Sequence, residues 1–160
     1  MKDIAIIPKE IASKILTVGP DYHNHRGGIE AVIEIYSKYF ENFKFLATHR
    51  EGSMIYKILL FISGFFQFIF KLIIDREIKI IHIHGASYGS FLRKFICFFV
   101  AKYLFQKKIV YHIHGAEFHL FYNNNNWIIK RAISIFINKS DCIICLSNSW
   151  KEFFSKNFIP

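Results

Sequence analysis

Carboxylates are scarce in this chain. Twelve Asp and Glu stand against twenty-one Lys and Arg, leaving a net charge of +9 and a pI near 9.5. That balance calls for an anionic partner: nucleic acid, an acidic membrane surface or a phosphorylated small molecule. Nucleic-acid motifs are missing and the basic residues are spread along helical stretches rather than gathered in one block, so nucleic acid ranks last of the three. Cysteine is limited to Cys97, Cys142 and Cys145. The C-x-x-C spelling of Cys142 and Cys145 falls in the strand-like run 141–146, where residues three apart point to opposite faces. A shared metal or an easy disulfide is thereby disfavoured, and buried thiols in a reducing compartment are expected. No secretory signal opens the chain, because Lys2, Asp3, Lys9, Glu10 and Lys14 interrupt any apolar core. The sequon at Asn138 then carries no meaning. The most lipophilic run, 58–70, is bounded by Lys57 and Lys71 and falls short of the roughly 20 residues that span a bilayer. A cytoplasmic protein able to touch the inner face of a membrane is expected. Neither G-x-G-x-x-G nor G-x-x-x-x-G-K-[ST] occurs, which argues against a dinucleotide fold or a P-loop.

What is present is apolar. Hydrophobic residues make up 52% of the 160, with 19 Phe, enough for one domain with a real core and too many for disorder. Residues 1–13 are weakly patterned and read as a flexible lead-in; residues 14–160 read as one domain. Short Ile/Val-rich runs at 14–19, 43–48, 78–84, 108–114 and 141–146 predict five strands. Between them lie helical stretches. Apolar residues at Ile29, Val32, Ile33, Tyr36 and Phe40 follow a 3.6-residue period, with Glu34 and Lys38 paired on the wet face. Residues 53–74 are too long and apolar for a strand. A helix is expected over 87–105, another over 127–138 capped by Asn126, and a last one from Ser147. Strands alternating with helices predict an α/β fold: a Rossmann-like parallel sheet flanked by helices. Ligands of such sheets bind outside the carboxyl ends of the strands.

Four features converge on that edge. Gly27 and Gly28 open a helix after the first strand, where backbone N–H groups receive phosphate; a plain tight turn uses the same pair. Two near copies, His82-Ile-His84-Gly85 and His112-Ile-His114-Gly115, close the third and fourth strands. The penultimate histidines lie deeper, and His84 and His114 are expected at the rim, with Glu117 three residues beyond His114. Ser147 follows the fifth strand. Clustered titratable groups at such an edge favour a site over packing alone. A metal-dependent hydrolase using both His-x-His pairs is an alternative, although no carboxylate stands beside His82 or His84. Arg93, Lys94 and Lys102 among the aromatics of 91–105, and Lys57 and Lys71 in 53–74, give helices with a basic outer face. The sharper alternative is a surface that dips into anionic lipid, in a domain that binds a membrane or partner without catalysis.

In order and spacing, the chain resembles the N-terminal domain of family-4-type glycosyltransferases of the GT-B fold. The resemblance rests on the loop from Gly19 to Glu30, on Ile81-His-Ile-His84, on Tyr111-His-Ile-His-Gly115-Ala-Glu117-Phe118, and on Asp141-Cys-Ile-Ile-Cys-Leu-Ser147-Asn-Ser149-Trp, and covers residues 14–156. It implies one half of a two-domain enzyme that moves a sugar from a nucleotide sugar to a polysaccharide or lipid-linked acceptor. On that basis Gly27 and Gly28 lie against the donor diphosphate, His114 lies near the transferred sugar with Glu117 beside it, and His84 and Ser147 form an acceptor-side wall. No cofactor or metal is required, the nucleotide sugar being a substrate. The nucleotide-binding C-terminal domain, with its E-x(7)-E motif, is not found in these 160 residues.

Overall fold

Each of the short β-branched runs forms a strand, and each longer amphipathic stretch a helix. The computed structural model describes residues 6–23 and 27–158. The strands are β1 Ile15–Pro20, β2 Lys44–His49, β3 Ile80–Gly85, β4 Lys108–Ile113 and β5 Cys142–Cys145. The helices are α1 Lys9–Ala12, α2 Gly28–Ser37, α3 Met54–Ile74, α4 Tyr88–Phe99, α5 Phe118–Asn123, α6 Trp127–Lys139 and α7 Asn148–Asn157, with a π-helical turn Val100–Leu104 continuing α4. The sheet has the order β2-β1-β3-β4-β5 and is parallel throughout. This is the expected α/β, Rossmann-like arrangement. Contacts gather into two compact units, Met1–Ile81 and His82–Pro160.

In the first unit β1 registers against β2 from Leu16↔Lys44 to Gly19↔Ala47, burying Leu16, Val18 and Leu46. Of the expected lead-in, residues 1–5 lie outside the described residues, as do residues 24–26 of the loop after β1. Residues 9–12 form a helical turn with Ala12 buried, and Ile7 bridges Phe40. Glu34 and Lys38 pair at 3.4 Å along α2 as expected.

Helix α3 revises the reading of its segment. The 13-residue lipophilic run is only the middle of a 21-residue helix; Lys57 and Lys71 lie inside it, since their long apolar stems are good helix formers. Alone among the described helices, α3 is long and apolar enough to cross a membrane. It is nevertheless docked by its Gly64, Phe68 and Leu72 seam, the buried residues one turn apart, onto β2. Glycine is required at 64, because a Cβ there would stand 2.7 Å from the carbonyl oxygen of Ala47. Gly64→Val is expected to lower the unfolding free energy by about 1–3 kcal/mol, the usual penalty of overpacking, measured by urea denaturation.

Asp21, just beyond β1, is buried. It accepts from Arg50 Nε at 2.7 Å, from the second guanidinium nitrogen, and from His23 Nδ1 at 2.7 Å. Burial opposes its ionisation, but these hydrogen bonds prevail and hold its carboxyl below the usual carboxylate range. Asp21→Asn should reduce stability by about 1–3 kcal/mol at neutral pH. A lowered carboxylate pKa stabilises only above the unfolded value, so the gap between parent and variant should close below about pH 4, which paired denaturation curves would measure.

In the second unit β4 registers against β5 from Val110↔Cys142 to Ile113↔Cys145. Alternation along β4 sends Tyr111 to one face and His112 to the other. Tyr111 stacks on Phe136 of α6 at 4.0 Å, and Phe98 of α4 closes on the same ring at 4.4 Å. Asn126 caps α6 as predicted, accepting from the Ile129 N–H at 3.1 Å. Asp141 joins the starts of the two strands by accepting from the Ile109 N–H at 2.8 Å and Lys102 Nζ at 2.7 Å. Two expectations fail here. Cys97 is buried, but Cys142 is exposed and Cys145 half-buried, because the short β5 is covered only in part. Lys94 does not belong to a basic outer face: it lies on the inward side of α4 beside Phe91, Cys97 and Phe98, wholly buried. Burial pushes its ammonium pKa down to about 7.

Candidate active site

Period-two alternation places His82 and His84 on one face of β3, and His112 with His114 on the same side of β4 and the residue after it. The four rings form a stack. Centroids are 4.3 Å apart for His82 and His84, 4.8 Å for His84 and His112, 4.1 Å for His112 and His114, and 5.2 Å for His84 and His114. His84 Nδ1 and His114 Nε2 share a hydrogen bond at 3.0 Å. Which ring donates depends on tautomer, and the bond couples the two choices. With Nε2 so engaged, Nδ1 is the second hydrogen-bonding position of His114.

The rim differs from expectation. His84 is completely buried and His82 and His112 nearly so, whereas His114 is half-buried. The cause is the ladder: β3 runs on through Gly85, whose carbonyl accepts from the His114 N–H at 2.9 Å, and His84 is thereby drawn inside. Burial, and for most of the rings the neighbouring imidazoles, disfavour protonation. His82 and His112 are lowered to about 4, His114 to about 3, and His84 further still. At neutral pH all four are uncharged.

Two clefts open where β3 and β4 end. One, of about 350 Å³, is lined by Ala86, Ser87 and Tyr88 from the turn after β3 and by Gly115, Ala116 and Glu117 from the turn after β4. The turns meet closely, for a Cβ on Gly115 would stand 2.9 Å from Ser87 Oγ. Tyr88 adopts a positive φ of 54°, a left-handed conformation that a bulky residue takes only when its surroundings impose it. Ser87 Oγ is buried at this cleft with no hydrogen-bond partner among the described residues. The second cleft, about 460 Å³, shares Ala116 and adds His119, Asn123, Ser149, Trp150 and Phe153.

The sequence-predicted residues are thus only partly brought together. His114 stands in the stack next to Gly115, and Glu117 lines the smaller cleft, exposed at the start of α5. His84 is a buried support for His114 rather than a wall. Ser147 caps α7, accepting from the Trp150 N–H at 3.3 Å and bonding Ser149 Oγ at 2.9 Å; its neighbours Ser149 and Trp150, not Ser147, line a cleft. Gly27 and Gly28 begin α2 in the other unit. A Cβ on Gly28 would meet nothing within 4 Å, so the backbone there stands open, as an anion site at a helix start requires. Ser87 and Tyr88 were not foreseen from sequence, since nothing in Ala86-Ser87-Tyr88 announces a positive φ.

A metal is the remaining possibility for the stack. His82, His84 and His112 each offer a ring nitrogen within 4.8 Å of the others, and neutral imidazoles are good ligands of zinc and copper. Nitrogens about 2.0–2.1 Å from a tetrahedral zinc stand about 3.4 Å apart, so the three rings would have to draw together to bind one.

The sequence profile of Glycosyltransferase Family 4 matches residues 27–160, a span that holds both His-x-His-Gly segments and both clefts. No curated protein and no solved structure matches the chain.

Proposed function

We propose that this chain, which belongs to glycosyltransferase family 4, serves the acceptor side of sugar transfer from a nucleotide sugar to a polysaccharide or lipid-linked acceptor. The observation that carries this is the cleft of residues 86–88 and 115–117, where a buried hydroxyl on Ser87 lacks a hydrogen-bond partner among the described residues and Glu117 adds a carboxylate. A sugar, dense in hydroxyls, satisfies such groups. Burial lowers His114 to about 3, which makes it a poor proton acceptor, so its role is to hydrogen-bond a sugar hydroxyl as charge develops at the anomeric carbon. Glu117 accepts from an acceptor hydroxyl. The N–H groups that begin α2 at Gly27 and Gly28 are assigned to bind the donor diphosphate. A second, nucleotide-binding half supplies the remaining cations, and the reaction is of the hexosyltransferase type.

The test offers the protein, together with its donor-binding half, labelled nucleotide sugars and a membrane extract. Label should pass into extractable glycan with release of nucleoside diphosphate. Failure of every donor to label any acceptor would sink the proposal. The histidine trio favours a second reading, a metal-dependent hydrolase. Elemental analysis of protein purified without affinity metals should find less than stoichiometric zinc, copper or iron; one equivalent per chain, lost in His82→Asn, would move the second reading ahead.

A further inference from the structure

We infer that the outward face of α3 docks onto the surface of an anionic lipid bilayer. This inference is independent of the sugar-transfer proposal. Ile55, Leu59, Ile62, Phe66, Phe70 and Ile73 recur at spacings of three and four, one stripe along the helix, and each is 46 to 72% exposed. The opposite seam, Gly64, Phe68 and Leu72, is buried against β2. The seam holds the second half of α3 to the sheet, and the stripe on the opposite face is left to lie along a bilayer surface. At 1.5 Å per residue the stripe is about 30 Å long, far beyond the scattered apolar residues normal on a soluble surface.

Three features select lipid over a protein occupant. Ser63 and Gln67, the polar residues nearest the stripe, are engaged with each other at 3.1 Å, and Trp, Tyr and Arg, the usual anchors of protein interfaces, are missing from it. The only charged residues in α3 are the cations Lys57 and Lys71, in a chain of net +9. Residues 82–160, the other unit, hold ten Lys and Arg against Glu117, Asp141 and Glu152. The same chemistry recurs there: Leu92, Ile96, Phe99 and Tyr103 form a smaller stripe, 42 to 49% exposed. Basic charge with an apolar helical face is what anionic bilayers bind.

Flotation of the full chain with vesicles tests this. Binding is expected to phosphatidylcholine mixed with phosphatidylglycerol, to weaken with salt, and to be much weaker with phosphatidylcholine alone. Phe66→Asp/Phe70→Asp should lower partitioning at least tenfold with an unchanged circular dichroism spectrum. Should that variant fail to fold, Phe66→Trp and Phe70→Trp serve instead, and their emission should shift to the blue on adding the anionic vesicles. Undiminished flotation of the double Asp variant, or unshifted Trp emission, overturns the inference. So does a lipid-free dimer that the Asp pair dissolves, which would give the face to a second copy of the chain.

Discussion

His114→Ala is expected to lower sugar transfer by about 10²–10³-fold, the usual loss when one aligned hydrogen-bonding group is removed from a transition state, while changing stability far less. The variant leaves His84 Nδ1 without the partner it has at 3.0 Å, which amounts to about 1–3 kcal/mol. That is a modest part of the 5–15 kcal/mol typical of a folded domain. The two effects separate in His114→Gln, whose longer amide can reach the position of Nε2 and keep a hydrogen bond to His84 and hence the fold, but not the imidazole geometry at the sugar. Its turnover should stay low. His112→Asn removes a more deeply buried ring of the stack and should move transfer less than His114→Ala does. If His114→Ala turned over at nearly the parent rate, His114 would be a packing residue and the catalytic assignment would fall.

Mild acid should unfold the protein through the same stack. A histidine whose folded pKa is depressed contributes stability that is complete above the unfolded value of about 6.5 and lost as pH falls toward the folded value. For His82 and His112 that window runs from about 6.5 to about 4, and for His114 to about 3. Each ring withdraws about 1.4 kcal/mol per pH unit within it, so two rings together remove several kcal/mol by pH 4.5, comparable with a whole domain's stability. Urea denaturation between about pH 7.5 and pH 4.5 should show this steep fall. His112→Asn takes one proton from the balance and should flatten the slope by about 1.4 kcal/mol per unit. A flat profile down to pH 5 would mean that the rings are hydrated and titrate normally.

The sheet was legible because burial on both faces leaves its strands as Ile and Val runs, and the helices because their caps are chemical: Asn126 and Ser147 each accept from an N–H three residues on. The site was legible as two His-Gly strand ends but not in depth. Whether His84 sits at the rim depends on one more rung of ladder at Gly85, which no residue type encodes. Lys94 was misplaced because a cation on an amphipathic helix is ordinarily outside, and only tertiary packing turns this one inward. Helix α5 was missed because its six residues are too few for a period to appear. Tyr88 and Ser87 became visible only as geometry, one through its φ and the other through an unsatisfied hydroxyl.

The most direct measurement of where sugar chemistry takes place is the imidazole and amide NMR spectrum of the chain, titrated with the lipid-linked glycan pool of its source cells. The resonances of His114, Ser87, Tyr88 and Gly115 should shift together and saturate together, while those of His23 and His49 in the other unit stay in place. Shifts confined to other residues, with His114 unmoved at saturation, would contradict the assignment of sugar binding to the carboxyl ends of β3 and β4.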